Sequence, residues 1–410
     1  MKETAWSLLS KAVASLFFIG LNIFLARYLG PDNFGAWSYF YSILNIALLL
    51  SFFGINQSTK KFTAQFNETD QLGSVLKSSL VIRVSFSFIF VIIFLLIIRP
   101  LVSILGRTDF ELLLVLATPI IFFAGMVDYL KCAFEGLHRL KYGFFMALTE
   151  HGLKFSLTII ILFFMNGLVA IVYSFNLALF VTALVGFYFF YFHFYKNNQV
   201  GMDSFSRDIF KYSLPLFFIW IGFVIAVELD VLMIGILCID SEVGIYAIAK
   251  QIIVKLPSIA TAISSGSMPV FAKLDKGNKK ELKKLFCQLL KINSVIFGVI
   301  GLLLLATSWF FIPLIFGKEY TASVVPLMIL VFYLILFSYS IFLSSFLDYQ
   351  GKANKRAVNL IITIALNIIL NLMLIPRYGA TGAAIGTSIS YAPYVFLNWM
   401  EVRNILAKYD

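Results

Sequence analysis

Residues 78–98 read SSLVIRVSFSFIFVIIFLLII, between Lys77 and Arg99. Arg83 is the one charge in that run. At 1.5 Å per residue, about 20 apolar residues cross a hydrocarbon core roughly 30 Å thick, so the stretch reads as one complete membrane crossing. The composition extends the same reading outward. Of 410 residues 60% are hydrophobic and 13% charged, against roughly 45–50% apolar and about 25% charged in an ordinary soluble domain. A soluble fold is excluded, as are disordered and collagen-like classes. Forty-five Phe residues add apolar bulk suited to lipid.

Eleven further stretches fit the same length rule, giving twelve expected crossings: 7–27, 35–56, 78–98, 111–134, 144–166 and 168–195, then 212–237, 244–272, 288–311, 324–349, 358–375 and 383–402. The expected fold class is an all-α integral membrane protein. Alternate loops differ sharply in charge. One set carries twenty basic residues, among them Lys60, Lys61, Arg139, Lys280 and Arg356; the other carries five, Arg27, Arg99, Arg107, Lys318 and Arg377. By the positive-inside rule the rich set is cytoplasmic, which puts both termini inside. The first apolar run contains Lys11 and leads into Gly30-Pro31-Asp32 rather than a small-residue cleavage site, so it reads as a retained helix.

The longest loops, 57–77 and 273–287, leave no room for a soluble catalytic or nucleotide-binding domain, and no GxxxxGK[ST] run is present. Cys132, Cys238 and Cys287 lie far apart without metal-ligand spacing, so neither a metal site nor a disulfide framework is expected, and no cofactor. The Lys-rich stretch 278–288 reads as an amphipathic segment attracted to anionic membrane lipids, with no call for nucleic acid.

The chain also repeats itself weakly. Offset by 209, Gly35 and Trp37 fall on Gly244 and Tyr246; offset by 215, Glu135-Gly136 falls on Gln350-Gly351 and Asn166-Gly167 on Thr381-Gly382. Sidedness is preserved at each match. Six crossings per half keep the same orientation, the parallel-repeat plan of secondary transporters. The expected organisation is an N-terminal six-helix lobe over 1–196, a cytoplasmic linker over 197–211 and a C-terminal six-helix lobe over 212–410, related by a pseudo-two-fold along the membrane normal.

An ionisable residue near the bilayer centre costs about 2.5–3.5 kcal/mol on insertion scales, so each one within a crossing calls for a partner or a wet cavity. Asp128 and Lys131 are three apart, Glu150 and Lys154 four apart, spacings that put each pair on one helix face at overlapping depth. The four read either as an ion-pair staple between neighbouring helices or, through Glu150, as a group whose protonation changes during transport. Asp230 and Lys250 fall at similar depth and are expected to pair, with a coupling or gating role. Lys255 lies about 16 Å in from the outer start of its crossing, with no acid within four residues on its own helix. It is a candidate phosphate contact or else pairs with an acid elsewhere. Arg83 and Lys11 either snorkel to the cytoplasmic surface or face inward. Asn367 and Asn371 share a helix face and can bind sugar hydroxyls or, the commoner use, bond between helices.

Three segments then suggest a family. Ala26-Arg27-Tyr28-Leu29-Gly30-Pro31-Asp32-Asn33-Phe34-Gly35 resembles the "AR-LGP-(E/D)-x-FG" signature of polysaccharide-export flippases. Asp230-Val231-Leu232-Met233-Ile234-Gly235 followed by Val243-Gly244-Ile245-Tyr246-Ala247-Ile248-Ala249 resembles their "D-x-L-x-IG … VG-x-Y-x-x-A", and Leu374-Ile375-Pro376-Arg377-Tyr378-Gly379-Ala380-Thr381-Gly382-Ala383-Ala384 their "LIP-(K/R)-YG-x-x-GAA". The ordered set covers essentially the whole chain and is similar to the Wzx-type O-antigen and capsule repeat-unit flippases, within the larger group that includes the multidrug and toxic-compound extrusion (MATE) proteins. The resemblance implies a MATE-like fold of two lobes around a central cavity, and alternating access. It also implies movement of a polyprenyl-diphosphate-linked oligosaccharide from the cytoplasmic to the outer leaflet of the cell membrane, with a polysaccharide polymerase and glycosyltransferases as pathway partners. In such a cavity Lys255, Lys154 and Arg83 match the cationic groups that receive the diphosphate. The related lipid II flippases usually have fourteen helices, and the twelve expected here argue against that branch. A MATE-type drug:cation antiporter is the alternative, expected to favour acidic over basic cavity residues. A membrane glycosyltransferase or polymerase would need larger outer loops than 100–109 and 312–323, so the protein is expected not to be an enzyme.

Overall fold

A computed structural model describes residues 2–192, 205–264 and 279–407. The described chain is helical almost throughout: α1 (Lys2–Phe52), α2 (Ile55–Gln65), α3 (Leu72–Ile104), α4 (Glu111–Gly136), α5 (Leu140–Phe164), α6 (Leu168–Phe190), α7 (Ser206–Leu237), α8 (Asp240–Lys255, with residues 258–264 helical again after a turn), α9 (Lys279–Phe316), α10 (Val324–Tyr349) and α11 (Ala353–Leu406). Ten stretches among the described residues are long and apolar enough to cross a membrane. The protein is a multi-pass, all-helical membrane protein, as the composition requires.

Ten rather than twelve arises from two helices that run on where the sequence suggested loops. α1 has 51 residues and α11 has 54, about 76 and 81 Å at 1.5 Å per residue, more than twice the hydrocarbon thickness. Each bends at one non-helical glycine, Gly30 (φ 71°, ψ 174°) and Gly379 (φ 53°, ψ −131°). A positive φ suits glycine, and Pro31 then restarts the helix at a first-turn position where its missing N–H is harmless. In α11 the Glu242 carboxylate accepts a hydrogen bond from Ala380 N at 2.6 Å, taking up a donor that the bend exposes.

The second expected crossing overshoots at its C-terminal end. α1 stops at Phe52, Phe53 and Gly54 both take positive φ, and the expected loop from 57 onward begins as α2, burying Ile55, Asn56, Ser58, Thr59 and Thr63. Lys60 of α2 reaches Glu135 at the end of α4 across 2.7 Å, a hydrogen bond that raises the lysine's pKa above its usual value. Both side chains are about half exposed, so the pair contributes little stability. The ends expected for the sixth and eighth crossings, much of the 197–211 linker and residues 273–278 lie outside the described residues. In the part of the Lys-rich stretch that is described, Leu282 and Phe286 are buried while Lys280 and Lys284 are exposed, the amphipathic pattern read from sequence.

The chain divides into two compact units that cut inside α1 and α7: Met1–Leu29 with Phe40–Glu228, and Gly30–Tyr39 with Leu229–Asp410. In the first, α4 is packed by α2, α3, α5 and α6. It buries residues on nearly every face, including Leu114, Ala117, Ile121, Met126, Leu130 and Phe134, as expected of a helix surrounded by neighbours. α3 instead leaves Ile89, Ile92, Ile93, Leu96 and Ile97 exposed, a face for lipid. In the second unit α10 packs on α8, α9 and α11. There the two glycines matched by the 209-residue offset meet. A Cβ on Gly35 would overlap the Asp240 carbonyl oxygen and lie 2.9 Å from Gly244 N, and one on Gly244 would overlap Pro31 O. Without a hydrophobic drive between helices in lipid, such small-residue contacts supply the close packing that joins them.

Candidate functional site

The charged cluster of the first unit begins where α5 starts. Glu3 accepts a hydrogen bond from Leu140 N at 2.7 Å, an acid placed favourably at a helix N-terminus. From that start, Glu150 and Lys154 fall on one face of α5, opposite Asp128 and Lys131 of α4. Lys131 Nζ donates to Glu150 Oε2 and Lys154 Nζ to Glu150 Oε1, each at 2.6 Å. Side-chain exposure is 11% for Glu150, 15% for Lys154 and 24% for Lys131, so the bridge is largely out of water. Lys154 also lies 5.2 Å from the centroid of the Phe175 ring, close enough for a cation–π contribution. Glu150 is thus shared by both lysines. Asp128 is not one of their hydrogen-bond partners; it accepts from Asn56 Nδ2 at 2.6 Å.

Arg83 does not snorkel. It is fully buried, with Nη1 donating to Ser51 O at 2.7 Å and the guanidinium 5.4 Å from the Phe52 ring centroid. The notch that admits it is Gly125, where a Cβ would overlap Nη2 and stand 2.7 Å from Cζ. Asp128 is within electrostatic reach, which offsets part of the desolvation cost. In the same unit Glu228 accepts from Ser42 Oγ at 2.8 Å and Asn45 Nδ2 at 3.0 Å.

Among the described residues of the second unit, a buried carboxylate sits in a web of neutral donors. Asp230 accepts from Tyr246 OH and Thr387 Oγ1 at 2.7 Å each and from Asn371 Nδ2 at 2.8 Å. Asn371 also donates to Asn367 Oδ1 at 3.1 Å, and Asn367 reaches Thr387 and Ser390 at 3.4 Å. The expected pairing of Asp230 with Lys250 gives way to these three donors, because hydrogen bonds to a charged acceptor stabilise it without a second desolvated charge. Of the two uses open to Asn367 and Asn371, Asn371 bonds to another helix through Asp230 of α7, while Asn367 bonds within α11, to Asn371 and, beyond the bend, to Thr387 and Ser390. Lys250 is half-buried on α8, and Lys255 is the exposed last residue of that helix.

Sequence reasoning therefore found the charges and missed their neutral partners: Ser51, Asn56, Tyr246 and Thr387. Their signal was a lone polar residue within an apolar run, which charge-based reading passes over. Among the described residues no three His, Cys, Asp or Glu side chains gather as a metal site.

The profile of a family described as polysaccharide biosynthesis protein matches residues 1–275. The chain belongs to that family. A probable low-salt glycan biosynthesis flippase of Haloferax volcanii, Agl15, is 26% identical over 397 residues, covering 92% of this chain and 78% of that one. Among solved structures, an inward-facing multidrug resistance MATE family transporter superposes with a TM-score of 0.78 at 15% identity, over 98% of both chains. The lipid II flippase MurJ, in an inward closed conformation, superposes at 0.75 with 17% identity, over 98% of this chain and 87% of that one. At such identities these two structures establish the fold alone, and it is the MATE-like one expected of the family.

Proposed function

We propose that the protein flips a polyprenyl-diphosphate-linked oligosaccharide from the cytoplasmic to the outer leaflet of the cell membrane, by alternating access, for surface polysaccharide assembly. The observation that carries the proposal is the pair of ammonium groups, Lys131 and Lys154, held on one carboxylate within membrane-spanning helices. A diphosphate cannot enter hydrocarbon unaided, since an unpaired charge stripped of water costs many kcal/mol. Lysines in a span replace that water, while the polyprenyl tail stays in lipid. Family membership and the glycan-biosynthesis flippase name of the Haloferax relative support a glycan cargo.

With α1 and α11 each supplying two crossings, the protein has twelve, both termini cytoplasmic, and two six-helix lobes over 1–196 and 212–410 on either side of the 197–211 linker. Glycosyltransferases supply the substrate and a polymerase consumes it, and this chain itself does no bond chemistry. Asp230 is the group for a coupling ion: its carboxylate is buried and surrounded by neutral donors, and Asn371, which holds it, has a buried Oδ1 with no hydrogen-bond partner among the described residues. Lys255 is proposed as a phosphate contact of the second unit by itself, and Arg83, fully buried, serves by holding the end of α1.

Proteoliposomes containing a fluorescent lipid-linked oligosaccharide test the reading: probe initially on the inner leaflet becomes accessible to an impermeant quencher outside only with the protein present. The MATE-type antiporter reading predicts instead that an imposed ion gradient drives a cationic dye and leaves the lipid probe where it was. Orientation is tested by single cysteines at positions 280 and 318 in a cysteine-free background. An impermeant reagent outside should label 318 and spare 280, and the reverse pattern overturns the topology.

A further inference from the structure

The two lysines of the first unit sit on two different oxygens of one carboxylate, at equal distance. We propose that Glu150 occupies the place of the diphosphate: Lys131 and Lys154 are the two groups that receive it, and Glu150 is the displaceable anion that holds them until it arrives. The inference rests on the flippase reading and deepens it, because it gives the acid between the two lysines a role in the cargo's arrival and release.

The charge arithmetic fits. A diphosphate esterified at both ends carries one negative charge on each phosphate, and the site offers one ammonium for each. Lysine is a compact charge on a flexible four-carbon stem with three donors, so the two ammonium groups can spread from the oxygens of one carboxylate to those of two phosphates. Left alone, two ammonium groups within a span would repel each other and carry an uncompensated desolvation cost. Glu150 removes that problem in the empty site and competes with the cargo in the filled one, which lets the cargo leave. The groups facing Glu150 are accounted for: Asp128 of α4 already accepts from Asn56, His151 neighbours it on α5, and Tyr41 of α1 lies within electrostatic reach. A plain staple between α4 and α5 would need only one lysine.

The test measures binding of inorganic diphosphate by the full-length protein in nanodiscs, read as thermal stabilisation, alongside flipping of the lipid-linked oligosaccharide. Glu150→Gln keeps the shape and removes the competing charge; the affinity for diphosphate should rise about tenfold or more, while flipping slows because release is impaired. Lys131→Gln leaves Glu150 paired with Lys154, so the fold is kept, and diphosphate affinity should fall about tenfold. Unchanged or lower affinity in Glu150→Gln overturns the inference, and so does unchanged affinity in Lys131→Gln, which decides the matter if the first variant does not fold. Phosphatidylglycerol, with one phosphate charge, should compete poorly; competition equal to that of diphosphate assigns the site to a lipid headgroup and overturns the inference. Wild-type flipping with a failed affinity test removes this inference alone, whereas absence of wild-type flipping removes the flippase reading beneath it.

Discussion

Gly35→Ala tests the packing that brings α1 against α8. The added Cβ would overlap the Asp240 carbonyl oxygen, stand 2.6 Å from its carbon and 2.9 Å from Gly244 N. All three are backbone atoms, so no side-chain rotation relieves the overlap and the helices themselves must separate. Carbon atoms pack best about 3.5–4.0 Å apart, so the gap must open by about 1 Å at the carbonyl carbon and further at its oxygen, and an opening of about 1 Å already forfeits about a quarter to a half of each neighbouring dispersion contact. The contacts at risk include the buried Phe34 and Tyr39, which flank Gly35 on the same stretch of α1 and meet Tyr320 and Gly235. Overpacking of this kind costs about 1–3 kcal/mol. The matched control is Gly298→Ala in α9, where a Cβ meets nothing within 4 Å and helix propensity alone should stabilise by about 0.5–1 kcal/mol. Thermal unfolding in detergent, followed by size-exclusion fluorescence, should place Gly35→Ala below wild type and Gly298→Ala at or above it. Wild-type melting of Gly35→Ala would refute the close approach.

Three further outcomes are expected. Glu150→Ala should lower folded yield more than Lys154→Ala, because it strands two lysines while the latter leaves Glu150 with Lys131; breaking a buried pair costs about 3–5 kcal/mol, and equal yields of purified protein would count against the shared carboxylate. Asp230→Asn presents an amide to Tyr246, Thr387 and Asn371, losing hydrogen bonds to a charge of about 1.5–3 kcal/mol each; its melting temperature should drop and its flipping should stop responding to an imposed ion gradient, and a retained response would take Asp230 out of coupling. Lys255→Gln should reduce flipping at normal membrane abundance, with Lys255→Arg recovering part of it, since a positive charge at that place suffices for phosphate; full flipping in the Gln variant would remove the residue from the mechanism.

Length and solvent settle a large part of this protein within the sequence itself. A stretch such as 78–98 has one stable state in a bilayer, a helix, because every backbone group must bond internally where there is no water. The helical class, the membrane setting and nearly all the crossings were legible for that reason, as was the Glu150–Lys154 pair, whose spacing is local. Tertiary structure decided the features that depend on neighbours distant in the chain. Whether the helix stops or bends at Gly30 and Gly379 depends on packing around the bend, with the Glu242 carboxylate taking up a donor at Ala380, so two expected loops are kinks. Arg83 is buried rather than snorkelled because Gly125, some forty residues on, leaves room for the guanidinium beside Ser51 O. Asp230 turned to Tyr246, Asn371 and Thr387 and away from the expected lysine, and Asp128 to Asn56. A charge announces itself in a sequence, but its neutral hydrogen-bond partners do not; only folding shows which of them share its depth and face, and for a buried carboxylate several neutral donors can serve better than a second desolvated ion.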